Sequence, residues 1–268
     1  MIHTNIVTIV QARVGSSRLP GKVMLSLCGK PLLLRMIERV RKAKLSGTIV
    51  VATSINEEDD TIEELCRKEK LHCFRGHPTD LLERHYFAAK KFKADAVAKI
   101  PSDCPLIDPQ IIDNVFKHFL DHYFDYVSNL HPASYPDGND VEIMSFAALE
   151  RAWNEASKDF EREHTTPYIW ERPEEFKISN FKWNTGFDYS TTHRWTIDYE
   201  EDYIFIRTIF DELYYKNSNF NLYDILQLLE KKPFIADINK KYAGKYWYEN
   251  HLNELNHINE YKNKRTAK

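Results

Sequence analysis

Short apolar runs alternate with stretches of helical period through the first half of the chain, and this alternation limits the fold more than any other feature. Residues 6–10 (Ile6-Val7-Thr8-Ile9-Val10), 48–53, 72–74 and 96–100 read as buried strands. Pro31 opens a helix in which Leu33, Met36, Ile37 and Val40 recur at 3/4 spacing, and the basic run Arg41-Lys42-Ala43-Lys44 closes it. "INEEDDTIEELCRKEK" is acidic at its start and basic at its end, with Ile62, Leu65 and Cys66 on one face. Residues 79–91 and 109–122 complete the series. Four strand-then-helix units predict an α/β fold: a mostly parallel sheet, helices on both faces, and a functional crevice at the carboxyl ends of the strands.

Past Asp125 the pattern loosens. Residues 126–129, 141–144, 176–181 and 193–197 read as strands, with helical stretches near 145–157 and 161–171. A mixed region of this kind often supplies a second substrate's pocket. From 216 the chain is polar and helical, ending in "NEYKNKRTAK", which is expected to fray. The expected organisation is one domain over 1–215 with a C-terminal helical tail over 216–268.

Composition narrows the function classes. Of 268 residues, 43% are hydrophobic and 13% aromatic, enough for a real core, and the net charge of −3 gives no overall field for a nucleic-acid backbone. No stretch approaches the ~20 apolar residues of a membrane span. Cys28, Cys66, Cys73 and Cys104 form no C-x-x-C pair and no secretory signal is evident, so reduced thiols and a cytoplasmic location are expected.

The loop after the first strand, "QARVGSSRLPGK" at 11–22, carries the chemistry. Walker A spacing fails, because five residues separate Gly15 from Gly21 and Val23 follows Lys22; the Rossmann fingerprint fails because Ser17 stands at its second glycine. What remains is a loop led by Gln11 and Ala12. Gly15 permits close backbone approach, Ser16 and Ser17 offer N–H and hydroxyl donors, and Arg13, Arg18 and Lys22 supply three positive charges. Those parts suit a triphosphate. As loop cations, Arg18 and Lys22 are expected to matter for turnover and to add little to stability.

Metal ligands must lie elsewhere. "IPSDCPLIDP" places Ser102 and Asp103 at the same sheet edge, and Asp198 ends the strand expected over 193–197. Two carboxylates with phosphate oxygens are what magnesium prefers, although an Asp after a strand is as often a helix N-cap. On the acceptor side, Asp140 and Glu142 divide between ligand contacts and turn chemistry, the Glu163–His164 pair and His193 between ligand and structural roles, and Cys104 is expected to be buried packing. Arg194, leading toward Asp198, is the cation expected to meet an anionic acceptor. Tyr199, Tyr203, Phe205, Phe210 and Tyr214 sit at helical spacings and read as core.

"QARVGSSRLPGKVMLSLCGKPLLLRMIERV", "RGHPTDLLERHY", "IPSDCPLIDPQIID", "PDGNDVEIMSFAALERAW", "REHTTPYIW" and "HRWTIDYEEDYIFI" together resemble the spore coat polysaccharide biosynthesis protein F family of cytidylyltransferases, over roughly residues 5–215. That family is related to the 3-deoxy-manno-octulosonate and acylneuraminate cytidylyltransferases. The resemblance implies a three-layer nucleotide-diphospho-sugar transferase fold, CTP as nucleotide, magnesium-dependent activation of a sugar, and a homodimer. By position it places Arg13, Ser17, Arg18 and Lys22 on the triphosphate, Asp103 and Asp198 on the metal, and residues from Arg75 to Asp80 near the base or ribose. Octulosonate enzymes carry Gln-Gly ahead of the metal aspartate where this chain has Pro101-Ser102, so base preference is the point of departure. A carboxylated 2-keto sugar is the first acceptor candidate, and a phosphorylated sugar or polyol the second. Two other classes compete: a glycosyltransferase of related fold, which would use D-x-D where this chain has Ser102-Asp103-Cys104, and a non-catalytic nucleotide sensor, against which Asp103 and Asp198 both stand.

Overall fold

The computed structural model describes residues 4–245 and Leu255. β1 (Ile6–Gln11) lies within a seven-stranded sheet, with Val7, Ile9 and Val10 sealed from solvent. A small ribbon of β2 (Ser26–Leu27) and β3 (Lys30–Pro31) follows. Then come α1 (Leu32–Val40), β4 (Thr48–Ser54), α2 (Asp60–Lys68), β5 (His72–Gly76), α3 (Leu81–Lys91), β6 (Ala96–Pro101) and α4 (Pro109–His122). β4 and β6 flank β1, β5 lies beyond β4, and all four strands are parallel. The chain therefore winds outward from β1 to β5 and returns to β1's other side as β6. Between β1 and β6 the winding reverses, which opens a crevice at their carboxyl ends. Gln11 stands opposite Pro101 there.

The second half adds β7 (Tyr126–Ser128), β8 (Glu142–Ser145), α5 (Phe146–Glu155), α6 (Asp159–His164), α7 (Pro167–Trp170), β9 (Ile178–Asn180), α8 (Glu200–Leu213) and α9 (Leu222–Lys231). β8 runs antiparallel to β6 and β7, giving the order β5-β4-β1-β6-β8-β7-β9. Alternation along the strands feeds two cores. Val10, Val51 and Ile100 pack with α1, α2, α4, α8 and α9, while Val7, Ile9, Val50, Ala52 and Val97 pack with α3, α5, α6 and α7. Helices thus cover both faces, as the four strand–helix units require.

Three expectations change. Residues 193–197 form no strand; they make an isolated bridge between Asp137 and Arg194 and a separate backbone bond from Ile197 to Asp103, while Trp195 and Ile197 are fully buried. A buried irregular segment has the same apolar signature as a strand, which is why the pattern misleads. Residues 161–171 are two short helices broken at Thr165, whose φ of 72° cannot continue a helix. Past residue 216, α9 buries Leu222, Ile225, Leu228 and Leu229 in the first core, and the Asp108 side chain, which caps α4, also accepts from Leu222 N at 2.7 Å. The "NEYKNKRTAK" stretch lies outside the described residues. Among the described residues no helix is long and apolar enough to cross a membrane.

Candidate active site

Val14 organises the loop. Its carbonyl accepts from Ser16 N at 2.8 Å and Gly21 N at 2.9 Å, and its own N–H donates to the buried Asp59 carboxylate at 2.7 Å. Asp59 also takes the Ser54 backbone N–H at 3.1 Å and the Ser54 hydroxyl, so the end of β4 fixes the start of the loop. Gly21, at φ 70°, turns the chain into a single 3-10 turn over Lys22–Met24. Arg13, Ser17 and Arg18 stand exposed at the crevice.

Lys22 is buried instead of solvated, contrary to the expectation for a loop cation. Its Nζ donates to Asp103 Oδ2 at 2.8 Å, to the Ile197 carbonyl at 2.6 Å and to Asp198 Oδ1 at 3.2 Å. Ile197 N–H donates to the Asp103 carbonyl at 3.0 Å, which holds the two aspartate segments side by side. Arg18 reaches Asp198 Oδ1 at 2.6 Å, and Arg194 reaches Asp198 Oδ2 at 2.9 Å. Burial alone would raise the Asp198 carboxyl, but Lys22, Arg18 and Arg194 outweigh it and bring the pKa down to about 2. Burial likewise opposes the charge on Lys22, and Asp103 and Asp198 overcome it, so its pKa rises.

Arg194 does not present a cation to an acceptor. Its guanidinium meets Asp202 at 3.0 and 3.1 Å, Asp198 at 2.9 Å and Asp137 at 3.3 Å, with 3% of the side chain exposed. Asp202 in turn accepts from the backbone N–H of Asp198 and Tyr199, each at 3.0 Å. Asn239 ties Arg194 O and Asp202 Oδ1 together at 2.9 Å each. Arg194 therefore positions Asp198. Tyr199 is not core either: its ring lies 5.5 Å from the Arg18 guanidinium and stacks on Tyr242 at 3.9 Å, whereas Phe205 and Phe210 are buried.

The remaining candidates scatter. Ser102 and Cys104 are buried beside Asp103, and burial pushes the Cys104 thiol up, out of nucleophile range. Burial, with help from Asp103 and Glu142 against the Gly138 N–H, raises Asp140 to about 6. Glu142 is closed in an ion pair with Lys99 at 2.6 Å and accepts from Tyr126 OH at 2.5 Å. On α6, Glu163 is exposed and His164 half-buried, and it is Arg162 that makes the long-range ion pair, with Asp80 at 2.5 Å. Asp80 also caps α3 through Glu83 N at 2.8 Å. Arg75 is taken up by Asp60, Glu63 and the carbonyls of Ser54 and Asn56. The side chains of Arg75 and Asp80 are thus engaged by neighbouring groups.

Two buried acceptor atoms have no partner among the described residues on the α3 side of the sheet: Gln11 Oε1 and His85 Nε2. Burial lowers His85 to about 3, so the ring is neutral, and its Nδ1 lies 2.7 Å from the Leu81 carbonyl, which assigns the proton to Nδ1 and leaves Nε2 bare.

Among the described residues no three His, Cys, Asp or Glu side chains gather as a metal cage. Asp103 and Asp198 do converge on one ammonium. Two hard oxygen donors beside a loop rich in cations fit magnesium, which takes one or two carboxylates and completes its shell with phosphate oxygens and water.

Residues 7–246 match the sequence profile of a family described as cytidylyltransferase. The spore coat polysaccharide biosynthesis protein SpsF of Bacillus subtilis is 29% identical over 87% of this chain and 97% of its own. A solved cytidylyltransferase from Leptospira borgpetersenii superposes with a TM-score of 0.81 at 32% identity, covering 87% of this chain and 97% of that one. CMP:2-keto-3-deoxy-manno-octonic acid synthetase complexed with CTP shares the fold, with a TM-score of 0.61 at 17% identity over 78% of this chain and 99% of that one. With the strand-end loop, the crevice and the match along nearly the whole described chain in agreement, the protein belongs to the cytidylyltransferase family and is a nucleotidyltransferase.

Proposed function

We propose that this enzyme uses CTP and magnesium to activate an anionic sugar for surface polysaccharide or glycan synthesis, releasing pyrophosphate. The observation that carries the proposal is the cluster of Lys22, Asp103 and Asp198 directly beneath the Arg13–Arg18 loop, at the point where the sheet reverses its winding. An acceptor oxygen attacks the α-phosphorus, the bond from that phosphorus to the bridging oxygen breaks, and pyrophosphate leaves with the growing negative charge. Arg18, half-exposed at the loop, meets that charge. Lys22 keeps Asp198 ionised and the two carboxylates co-directed. Asp103 and Asp198 would hold magnesium, which when bound neutralises phosphate oxygens. Ser16, Ser17 and the loop N–H groups add donors. Gln11 Oε1, a buried acceptor at the crevice wall, suits the amino group of cytosine.

With Glu142 closed against Lys99, Asp140 is the carboxylate left to meet an acceptor hydroxyl, with the Glu163–His164 corner at the far rim. An acidic acceptor is favoured by the octonic acid named for the structural neighbour, and polysaccharide synthesis by the name of the Bacillus relative. We place the enzyme in the cytoplasm as a homodimer. The test incubates the purified protein with each of the four NTPs, magnesium, and carboxylated 2-keto sugars, sugar phosphates or neutral sugars, and measures pyrophosphate. CTP with a carboxylated sugar should give the highest rate. Release with a different NTP only, or with neutral sugars only, would overturn the assignment.

A further inference from the structure

Arg84, in the first turn of α3, takes no part in the proposed reaction, and its surroundings are unlike those of the other buried arginines. It is 1% exposed, and one edge of its guanidinium is pinned on backbone: Nε donates to the His77 carbonyl at 3.0 Å, and Nη2 to that carbonyl and to Pro78 O at 2.7 Å. Nη1 has no partner among the described residues, and Arg84 makes no ion pair there. Arg39 also lacks a carboxylate, but all three of its nitrogens donate to carbonyls, of Ile107, Phe220 and Leu106. Arg194 has three carboxylates, and Arg35 has Glu38. The two acids closest in charge to Arg84 are engaged elsewhere, Asp59 by Val14 and Ser54, Asp80 by Glu83 and Arg162.

Gly76, the last residue of β5, leaves the space this arginine needs. A Cβ there would lie 2.8 Å from Phe74 Cε1 and 3.1 Å from Arg84 Cγ. Arg13, on the loop, is near enough for its charge to act on Arg84, and it is exposed and without an ion pair among the described residues. Burial and then the charge of Arg13 pull the Arg84 pKa down to about 10, so it remains a cation at neutral pH with a second cation beside it. Two like charges, one of them desolvated, are unfavourable until an anion lies between them.

We propose that Arg84 and Arg13 form an oxyanion-binding corner on the α3 side of the crevice, and that it holds a phosphate of the nucleotide. Arg84 then extends the loop's phosphate cradle from across the crevice, with its pinned edge fixing the direction of Nη1. This rests on the nucleotidyltransferase reading and does not depend on which base is used.

Calorimetric titration of the full chain with tripolyphosphate, CTP and cytidine tests it, for wild type, Arg84→Lys, Arg84→Met, Arg13→Ala and the Arg13→Ala/Arg84→Lys pair, each checked by thermal melting. Tripolyphosphate and CTP should bind roughly 10- to 100-fold more weakly to each single variant, cytidine should be unaffected, and the double variant should lose less than the product of the two, because both arginines serve one anion. Unchanged tripolyphosphate affinity in Arg84 variants that melt like wild type means that Arg84 only brackets the β5–α3 turn, and overturns the proposal. An equal loss for cytidine also overturns it, in favour of a base contact. Should both Arg84 variants fail to fold, Arg13→Ala decides alone, its exposed side chain making no hydrogen bond or ion pair among the described residues, and undiminished tripolyphosphate binding there is a refutation. Wild-type protein that binds neither tripolyphosphate nor any NTP would overturn the proposed function as well, a pattern distinct from wild-type binding that Arg84 does not influence.

Discussion

Replacing Lys22 by Met removes an ammonium that three oxygens share and leaves the methylene stem in place. The size of the effect follows from the site. Asp198 sits at about 2 against an ordinary 3.8, and at about 1.4 kcal/mol per pH unit that depression is worth about 2.5 kcal/mol, with the charge of Lys22 first among the causes that overcome burial. Arg18 and Arg194 keep their contacts with Asp198, at 2.6 and 2.9 Å, in the variant and hold the loss from this group to about 1 kcal/mol. The Ile197 carbonyl loses a buried donor, costing a further 1–3 kcal/mol or so. Asp103 and Asp198 keep 27% and 20% of their side chains exposed, so water partly replaces the ammonium. The total is about 2–4 kcal/mol, at or below the ~3–5 kcal/mol for breaking a fully buried pair. Because the folded carboxyl is depressed, its contribution is complete above the unfolded pKa and is lost as pH falls through about 2. Urea unfolding of both proteins should therefore show the gap at neutral pH and its Asp198 part closing below about pH 4. Millimolar magnesium should restore part of the variant's stability by mass action on two carboxylates that no longer share a cation. A variant within about 0.5 kcal/mol of wild type at neutral pH would refute the coupling.

Arg18→Ala should cost less than about 1 kcal/mol in the same unfolding assay, since half of that side chain is exposed, yet depress pyrophosphate release strongly. Arg194→Met should destabilise by about 3–5 kcal/mol, leaving Asp137, Asp198 and Asp202 without their common cation, so a large fall in thermal midpoint is expected in place of a selective rise in acceptor KM. Gly138→Ala should cost several kcal/mol, read by the same melt, because at φ 102° its Cβ would lie 2.6 Å from the Trp195 backbone carbonyl.

The sheet from β1 to β6 was legible because each strand is an apolar run followed by a helix with one apolar face, and periodicity reports that burial directly. The same signal failed at 193–197, where Trp195 and Ile197 are buried without a ladder. At the site, Lys22, Asp103 and Asp198 could be found because each follows a strand or a strand-like run toward one sheet edge, and position along the chain implies position in space. What position cannot supply is the competition between partners. Arg194 sits near Asp198 as its place suggests, but its charge is met by Asp137, 57 residues away, and by Asp202 on α8. Arg75 and Asp80 lie in a matching motif and are drawn into local ion pairs. Arg84 left no trace, because an arginine in a helical stretch usually faces water, and only tertiary structure shows one buried with a free edge.

Attack at the α-phosphorus, directed by the loop and the two carboxylates, is the step we propose. It is tested most directly by following CTP labelled at that phosphorus through a reaction with magnesium and a carboxylated sugar acceptor, in wild type and in Asp103→Asn. The label should appear in a nucleotide-linked sugar, with unlabelled pyrophosphate released in equal amount, and Asp103→Asn should abolish both. Label recovered only as free CMP or CDP, or an Asp103→Asn enzyme as fast as wild type at limiting magnesium, would contradict the account.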